Sequence, residues 1–218
     1  MKRCVPLFAS AMLCLYVAAA HGMSMDLTEF SGYTGDFSAY SPVLECRLGE
    51  SGSKTVSLLK GDAFYRGHFY AIDLGDGVKP VGAFFTYNRE DERDFGKSYA
   101  DEVYAGCPGA DEKVLVLYGG FAGNRGDSLA LRYNGLVGAF ETVHLRTKAR
   151  PDFVYLNQTG MLLIVHEPTP TGADAWHVGQ SVSGTGQIDP DMVSGIPGGR
   201  ELPDPKGYAV IPVTLTEE

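Results

Sequence analysis

Histidine, cysteine and serine are the residues through which this chain could do chemistry. Beyond residue 21 there are four histidines: His68, His144, His166 and His177. None stands in a His-Glu-x-x-His or other paired spacing that would bring two imidazoles to one zinc ion, and there is no Cys-x-x-Cys. His68, His144 and His166 fall inside or at the end of apolar runs, where a histidine satisfied by its neighbours is the simpler reading. No Gly-x-Ser-x-Gly elbow is present. Ser183, in Ser-Val-Ser-Gly-Thr-Gly, has a superficially similar setting but no helical pattern after it. Carboxylates are abundant, with Asp and Glu totalling 27, and abundance makes no pair special as acid and base. Walker and Rossmann fingerprints are absent, and Asp94-Phe95-Gly96 lacks every other part of a kinase. The expectation is a non-catalytic protein with no cofactor and no metal.

Other patterns point to contact with a partner. Gly179 to Gly186 is small, polar and flexible, a shape suited to entering a cleft. Arg125-Gly126-Asp127 sits in a glycine-rich loop and matches an integrin-binding tripeptide. Together these give Ser181, Ser183, Thr185, Gln187, Arg125 and Asp127 as candidate partner-contact residues. Asn157-Gln158-Thr159 is a glycosylation sequon in an expected hairpin turn. Asp73-Leu74-Gly75-Asp76-Gly77, with Val114 to Phe121, resembles the acidic turn and Gly-Phe ending of calcium-binding FG-GAP propeller repeats. The copy is single and a propeller needs several, so a plain hairpin turn is the reading carried forward.

The start of the chain indicates its compartment. Lys2 and Arg3, the apolar stretch Val5 to Val17, and Ala18-Ala19-Ala20 compose a signal peptide over residues 1–20, leaving a single domain over 21–218. Leu13 before Cys14 argues against lipidation. Cys4 and Cys14 leave with the leader, so Cys46 and Cys107 remain as an even pair in an oxidising compartment and are expected to form a disulfide. Closing a loop of about 60 residues is worth roughly 4 kcal/mol by chain entropy. Formal net charge is -9, and it becomes more negative without the leader's two cations. This excludes nucleic acid as the main partner, predicts no membrane insertion after cleavage, and suits electrostatic steering toward a basic protein.

The scaffold behind these residues reads as all-β. Val43 to Leu48, Thr55 to Lys60, Ala63 to Leu74 and Val81 to Tyr87 are strand-length runs separated by turn residues. Val114 to Tyr118 is apolar throughout, as a strand buried on both faces must be. Asn134-Gly135 joins Leu129–Tyr133 to Leu136–Thr142 as a hairpin, and residues 157–160 join Phe153–Leu156 to Met161–His166. Trp176 to Val182 and Tyr208 to Leu215 complete about ten strands, while Gly96 to Tyr104 carries only a weak helical pattern. The expected architecture is an antiparallel β-sandwich or a barrel-like pair of sheets, with one long Gly/Pro-rich loop from Ser183 to Lys206. Taken together, the sequence predicts a periplasmic or secreted binding protein, most concretely an inhibitor or immunity protein for a periplasmic toxin or cell-wall hydrolase. The alternative is an extracellular module that recognises a glycan or surface component through aromatic residues.

Overall fold

The computed structural model describes residues 36–64, 66–85, 98–121, 126–168, 175–181, 196–197 and 201–218. The expected signal peptide over residues 1–20, Arg125, Ser183, Thr185, Gln187 and most of the Gly/Pro-rich loop lie outside them. The described residues are all-β, in three antiparallel sheets of five strands each. The first sheet contains β1 (Ser41–Leu48), β2 (Lys54–Phe64), β3 (Gly67–Asp73), β4 (Val78–Pro80) and β5 (Tyr99–Ala100). The second contains β6 (Val103–Gly106), β7 (Leu115–Gly119), β8 (Gly126–Asn134) and β9 (Ala139–Thr147). The third is built from β10 (Pro151–Asn157), β11 (Gly160–Glu167), β12 (Ala175–Gln180), β13 (Ile196–Pro197) and β14 (Ala209–Pro212). The chain then returns to the second sheet, where β15 (Thr216–Glu217) pairs with β6.

The second sheet is the middle layer. Successive side chains on a strand point to opposite faces, so a strand covered on both sides must be apolar at every position. Leu115, Leu117, Leu129 and Leu131 pack with Leu48, Leu58, Tyr70 and Ile72 of the first sheet. Val116, Ala130, Val143 and Leu145 pack with Val154, Leu156, Leu163 and Val165 of the third. At Gly179 in β12, an added Cβ would lie 2.6 Å from Val143 Cγ1. Glycine therefore lets the third sheet press close to β9. Burial of Tyr70 between first and second sheets pushes its phenol up to about 12, helped by Glu218 and Glu217.

Several elements differ from the sequence expectation, each for a local reason. Ala63–Leu74 is two strands, because β2 runs on to Phe64 and β3 starts at Gly67. Val81–Phe84 is a 3-10 turn after Pro80, not a strand. Gly82 N donates to the buried Ser98 Oγ at 2.8 Å, which holds the turn against the start of the next strand. The weakly helical stretch holds β5 and β6 instead of a helix. Three sheets stand where a pair was expected, and the short strands β4, β5, β6, β13 and β15, of two to four residues, account for the excess over about ten, since such short pieces carry no readable alternation.

The disulfide joins Cys46 of β1 to Cys107, just after β6, with Cα atoms 5.7 Å apart. It ties the first sheet to the second.

Candidate functional site

Antiparallel hairpins bring the turns Gly49–Ser53, Asn134–Ala139 and Asn157–Gly160, one from each sheet, to the same end of the stack. The β6–β7 connection joins them there. A Cβ on Gly49 would touch the Tyr133 ring at 3.0 Å, Glu112 reaches Arg132 at 3.5 Å, and Asn134 Nδ2 donates to Gln158 O at 3.2 Å. All three contacts are made at the foot of the β8–β9 turn.

That turn is not the two-residue Asn-Gly turn the sequence suggests. Asn134 pairs with Ala139, leaving Gly135, Leu136, Val137 and Gly138 as a four-residue loop. Asn134 shapes it twice: its Oδ1 accepts from Leu136 N at 3.0 Å and its carbonyl accepts from Gly138 N at 2.8 Å. Gly138 takes the left-handed conformation at φ 70°, so the glycine required by the geometry is the second one. Leu136 and Val137 therefore leave the strand expected of them and stand at the tip, 76% and 51% exposed.

Below the tip lies a buried ionic network. Arg132 Nε donates to Glu141 Oε2 at 2.7 Å across the strand pair, with both side chains 2% exposed. Asn134 Nδ2 donates to Glu141 Oε1 at 2.8 Å. Arg132 Nη1 donates to Asn157 O at 2.9 Å, which ties the middle sheet to the β10–β11 turn. Nη2 meets no acceptor among the described residues. A buried ion pair with an unspent donor is a poor source of stability compared with apolar packing, but it fixes position well. The adjoining turn is locked in the same manner, since Asn157 Oδ1 accepts from Thr159 N, Thr159 Oγ1 and Gly160 N.

Across the first sheet's turn, Ser51 is the non-glycine residue with a positive φ among the described residues, at 54°. Such conformations cost free energy and concentrate at functional positions. Glu50, Asp76 and Asp111 are exposed at this end and Glu112 is partly so. Lys54 lies over the Tyr133 ring, 5.2 Å from its centroid. With Arg47, Lys79 and Lys113 also exposed here, this end presents an apolar tip amid charges of both signs.

The opposite end of β8–β9 holds a buried histidine–carboxylate pair with a half-exposed arginine beside it. His144 Nε2 lies 3.0 Å from Asp127 Oδ1, Arg146 Nε is 3.9 Å from the same oxygen, and Phe85 stacks on the imidazole at 4.5 Å. A histidine beside a carboxylate has the form of a general base and its orienting group, but both side chains are enclosed. The carboxylate of the Arg-Gly-Asp tripeptide is thus turned inward, on the face toward the first sheet. Ser181 is also buried, accepting from Met161 N at 2.7 Å. Of the remaining histidines, His68 bonds Gly61 O at 3.0 Å, His177 faces Glu167 at 3.5 Å and His166 stacks on Trp176 at 4.6 Å. The Asp73–Gly77 turn is a hairpin turn in which Asp73 Oδ1 accepts from Gly75 N at 2.8 Å. Among the described residues no cluster of three His, Cys, Asp or Glu side chains is arranged to hold a metal ion, and no helix is long and apolar enough to cross a membrane.

Of the contact candidates from sequence, Ser181 and Asp127 are buried, whereas the exposed tip residues Leu136 and Val137 are not among them. The signal was present in the spacing Asn134–Gly135–Leu136–Val137–Gly138, where a second glycine marks a longer loop. Comparison with protein-family models, with curated proteins and with solved structures gives no match to this chain.

Proposed function

We propose that this chain is an exported, non-catalytic binding protein, periplasmic or secreted, that acts by contact with another protein. Its most concrete role is that of an inhibitor or immunity protein for a periplasmic toxin or cell-wall hydrolase. The observation that carries the reading is the Leu136–Val137 tip. Leu136 and Val137 stand in water on a turn closed by the Asn134 side chain and carbonyl, so less ordering entropy opposes their burial in a partner than an unbonded loop would pay. We also read the stack as an open β-sandwich of three layers, a scaffold whose loop-bearing end resembles a binding surface on a stiff platform. Ser183, Thr185, Gln187 and Arg125 are candidates for a secondary contact.

The test is affinity capture with the chain from His21 onward, at low and physiological salt, followed by an activity assay on whatever enzyme or toxin is retained. The reading predicts one stoichiometric partner that is inhibited on binding, and loss of both effects in Leu136→Asp. Retention unchanged in Leu136→Asp but lost in Ser183→Trp would move the contact to the long loop.

A second reading, a module recognising a glycan or surface component, draws on the outer face of the third sheet. There Trp176 lies 4.6 Å from His166 and 6.5 Å from Phe153. Thermal stabilisation by an oligosaccharide, abolished in Trp176→Ala, would favour it over the protein-contact reading.

A further inference from the structure

We infer that Asn134–Gly135 is a one-way deamidation site, held shut in the folded chain and open in the unfolded one, whose product the fold does not accept. This inference stands apart from the partner-contact reading and needs no partner.

The chemistry comes from the pair itself. The chain has four asparagines, and Asn134 is the one followed by glycine. With no Cβ on the next residue, the backbone nitrogen of Gly135 has a clear approach to Asn134 Cγ. That nitrogen gives its proton to hydroxide and attacks Cγ. The new N–C bond closes a cyclic succinimide, and the Cγ–Nδ2 bond breaks to release ammonia. Water then opens the ring at Cγ to leave aspartate, or at the main-chain carbonyl to leave isoaspartate, whose chain runs through the former side chain. The net change is amide plus water to acid plus ammonia, and a neutral side chain becomes an anion.

The fold opposes each step. Asn134 is 5% exposed, which keeps water from it. The leaving nitrogen is engaged twice, since Nδ2 donates to Glu141 Oε1 at 2.8 Å and to Gln158 O at 3.2 Å. Oδ1 accepts from Leu136 N at 3.0 Å. Turning the amide for attack and expelling Nδ2 breaks these contacts, so reaction in the folded chain waits for local opening of the turn.

The product does not fit the place of the asparagine. An ionised carboxylate accepts hydrogen bonds and donates none, so it would stand against Glu141 Oε1 as a like charge and leave Gln158 O without its donor. Arg132, the cation of this network, is already bonded to Glu141 Oε2. Isoaspartate adds an atom to the backbone where Asn134 pairs with Ala139, and so displaces that register. A chain that stays folded keeps its asparagine, whereas one left unfolded is chemically changed and loses its route back.

The test holds the full chain, purified with its disulfide formed, in mildly alkaline buffer with and without guanidinium chloride, and follows it by peptide mapping. The expected result is the mass gain of an amide-to-acid conversion in the peptide containing Asn134, at least about tenfold slower without denaturant, because only the opened turn reacts. Asn157, followed by glutamine, should convert far more slowly in denaturant. After dilution, unconverted chains should regain the native circular dichroism and converted chains should not. Asn134→Asp should lower the urea midpoint, and Asn134→Asp/Glu141→Gln, which exchanges amide and carboxylate between the two positions, should recover part of it. If Asn134→Asp does not fold at all, folding of the double variant supports the inference in its place. Equal conversion with and without denaturant overturns the protection. A urea midpoint for Asn134→Asp equal to that of wild type overturns the misfit of the product. A double variant no more stable than Asn134→Asp also overturns it, since the loss would then not come from two facing carboxylates.

Discussion

The two ends of the β8–β9 hairpin each bury a carboxylate with a hydrogen-bonded partner, and they are built differently. At the tip end, Arg132 and Glu141 are joined to Asn134 and to the backbone of the β10–β11 turn, so one guanidinium pins the second sheet to the third. The disulfide pins the first sheet to the second near the same end, through β1 and the β6–β7 connection. At the far end, Asp127, His144 and Arg146 all come from the hairpin itself, and Phe85 supplies the stacking contact from the first sheet's connection. One end is cross-linked through all three layers and displays apolar residues to water. The other encloses its His144–Asp127 pair, with Arg146 partly exposed beside it. The cross-links between sheets are concentrated at the end that carries the exposed tip.

This contrast can be tested, and the largest effect belongs to the tip end. Glu141→Ala leaves Arg132 charged in a space closed to water and should cost about 3–5 kcal/mol of stability in urea unfolding. The double substitution Arg132→Met/Glu141→Leu removes both charges and should recover most of that loss while freeing the tip, seen as faster amide exchange at residues 135–138. Recovery of stability with an unchanged tip would mean that the network does not hold the tip. Reduction or Cys46→Ala/Cys107→Ala should cost about 4 kcal/mol by chain entropy, read as a lower urea midpoint. His144→Ala should cost about 1–3 kcal/mol, the penalty of leaving one buried carboxylate contact unmade. Amide exchange at the tip should not respond to His144→Ala, since its effect belongs to the far end. Gly138→Ala is the smallest, about 1–2 kcal/mol from the left-handed backbone alone, because nothing lies within 4 Å of the added Cβ. A cost near zero there would show that the turn relaxes without the glycine.

Much of the scaffold is legible from local pattern. The unbroken apolar run at Val114–Tyr118 marks β7, whose side chains enter two different cores, and the even cysteine pair marks the disulfide. The β10–β11 hairpin is also legible, because Asn157 pairs with Gly160 and its Oδ1 closes the turn by accepting from Thr159 and Gly160, although Gly160 does not take the positive φ that a turn glycine suggests. Three-layer stacking is less so: a single sequence shows that a strand is buried on both faces but not which sheets bury it. The Val81–Phe84 turn is missed because β-favouring residues there are held in a 3-10 turn by a distant partner, Ser98. The candidate site is missed for a related reason. Asn134-Gly135 is read as a two-residue turn by its immediate pair, whereas the actual loop is fixed by Gly138 and by Glu141, seven residues from Asn134.

The return of the chain to the middle sheet has a consequence for biosynthesis. β14 completes the third sheet beside β10, and β15 then lies beside β6, with Glu218 N donating to Val103 O at 2.9 Å. Residues made more than a hundred positions apart must therefore meet before β6 is covered along that edge. The first sheet closes from neighbouring hairpins as it emerges, but the other two await residues 209–217. A polypeptide emerging in sequence order thus has two of its three sheets unfinished until residues 209–217 are made, and until then the edge of β6 is the place where a chaperone would have most to protect.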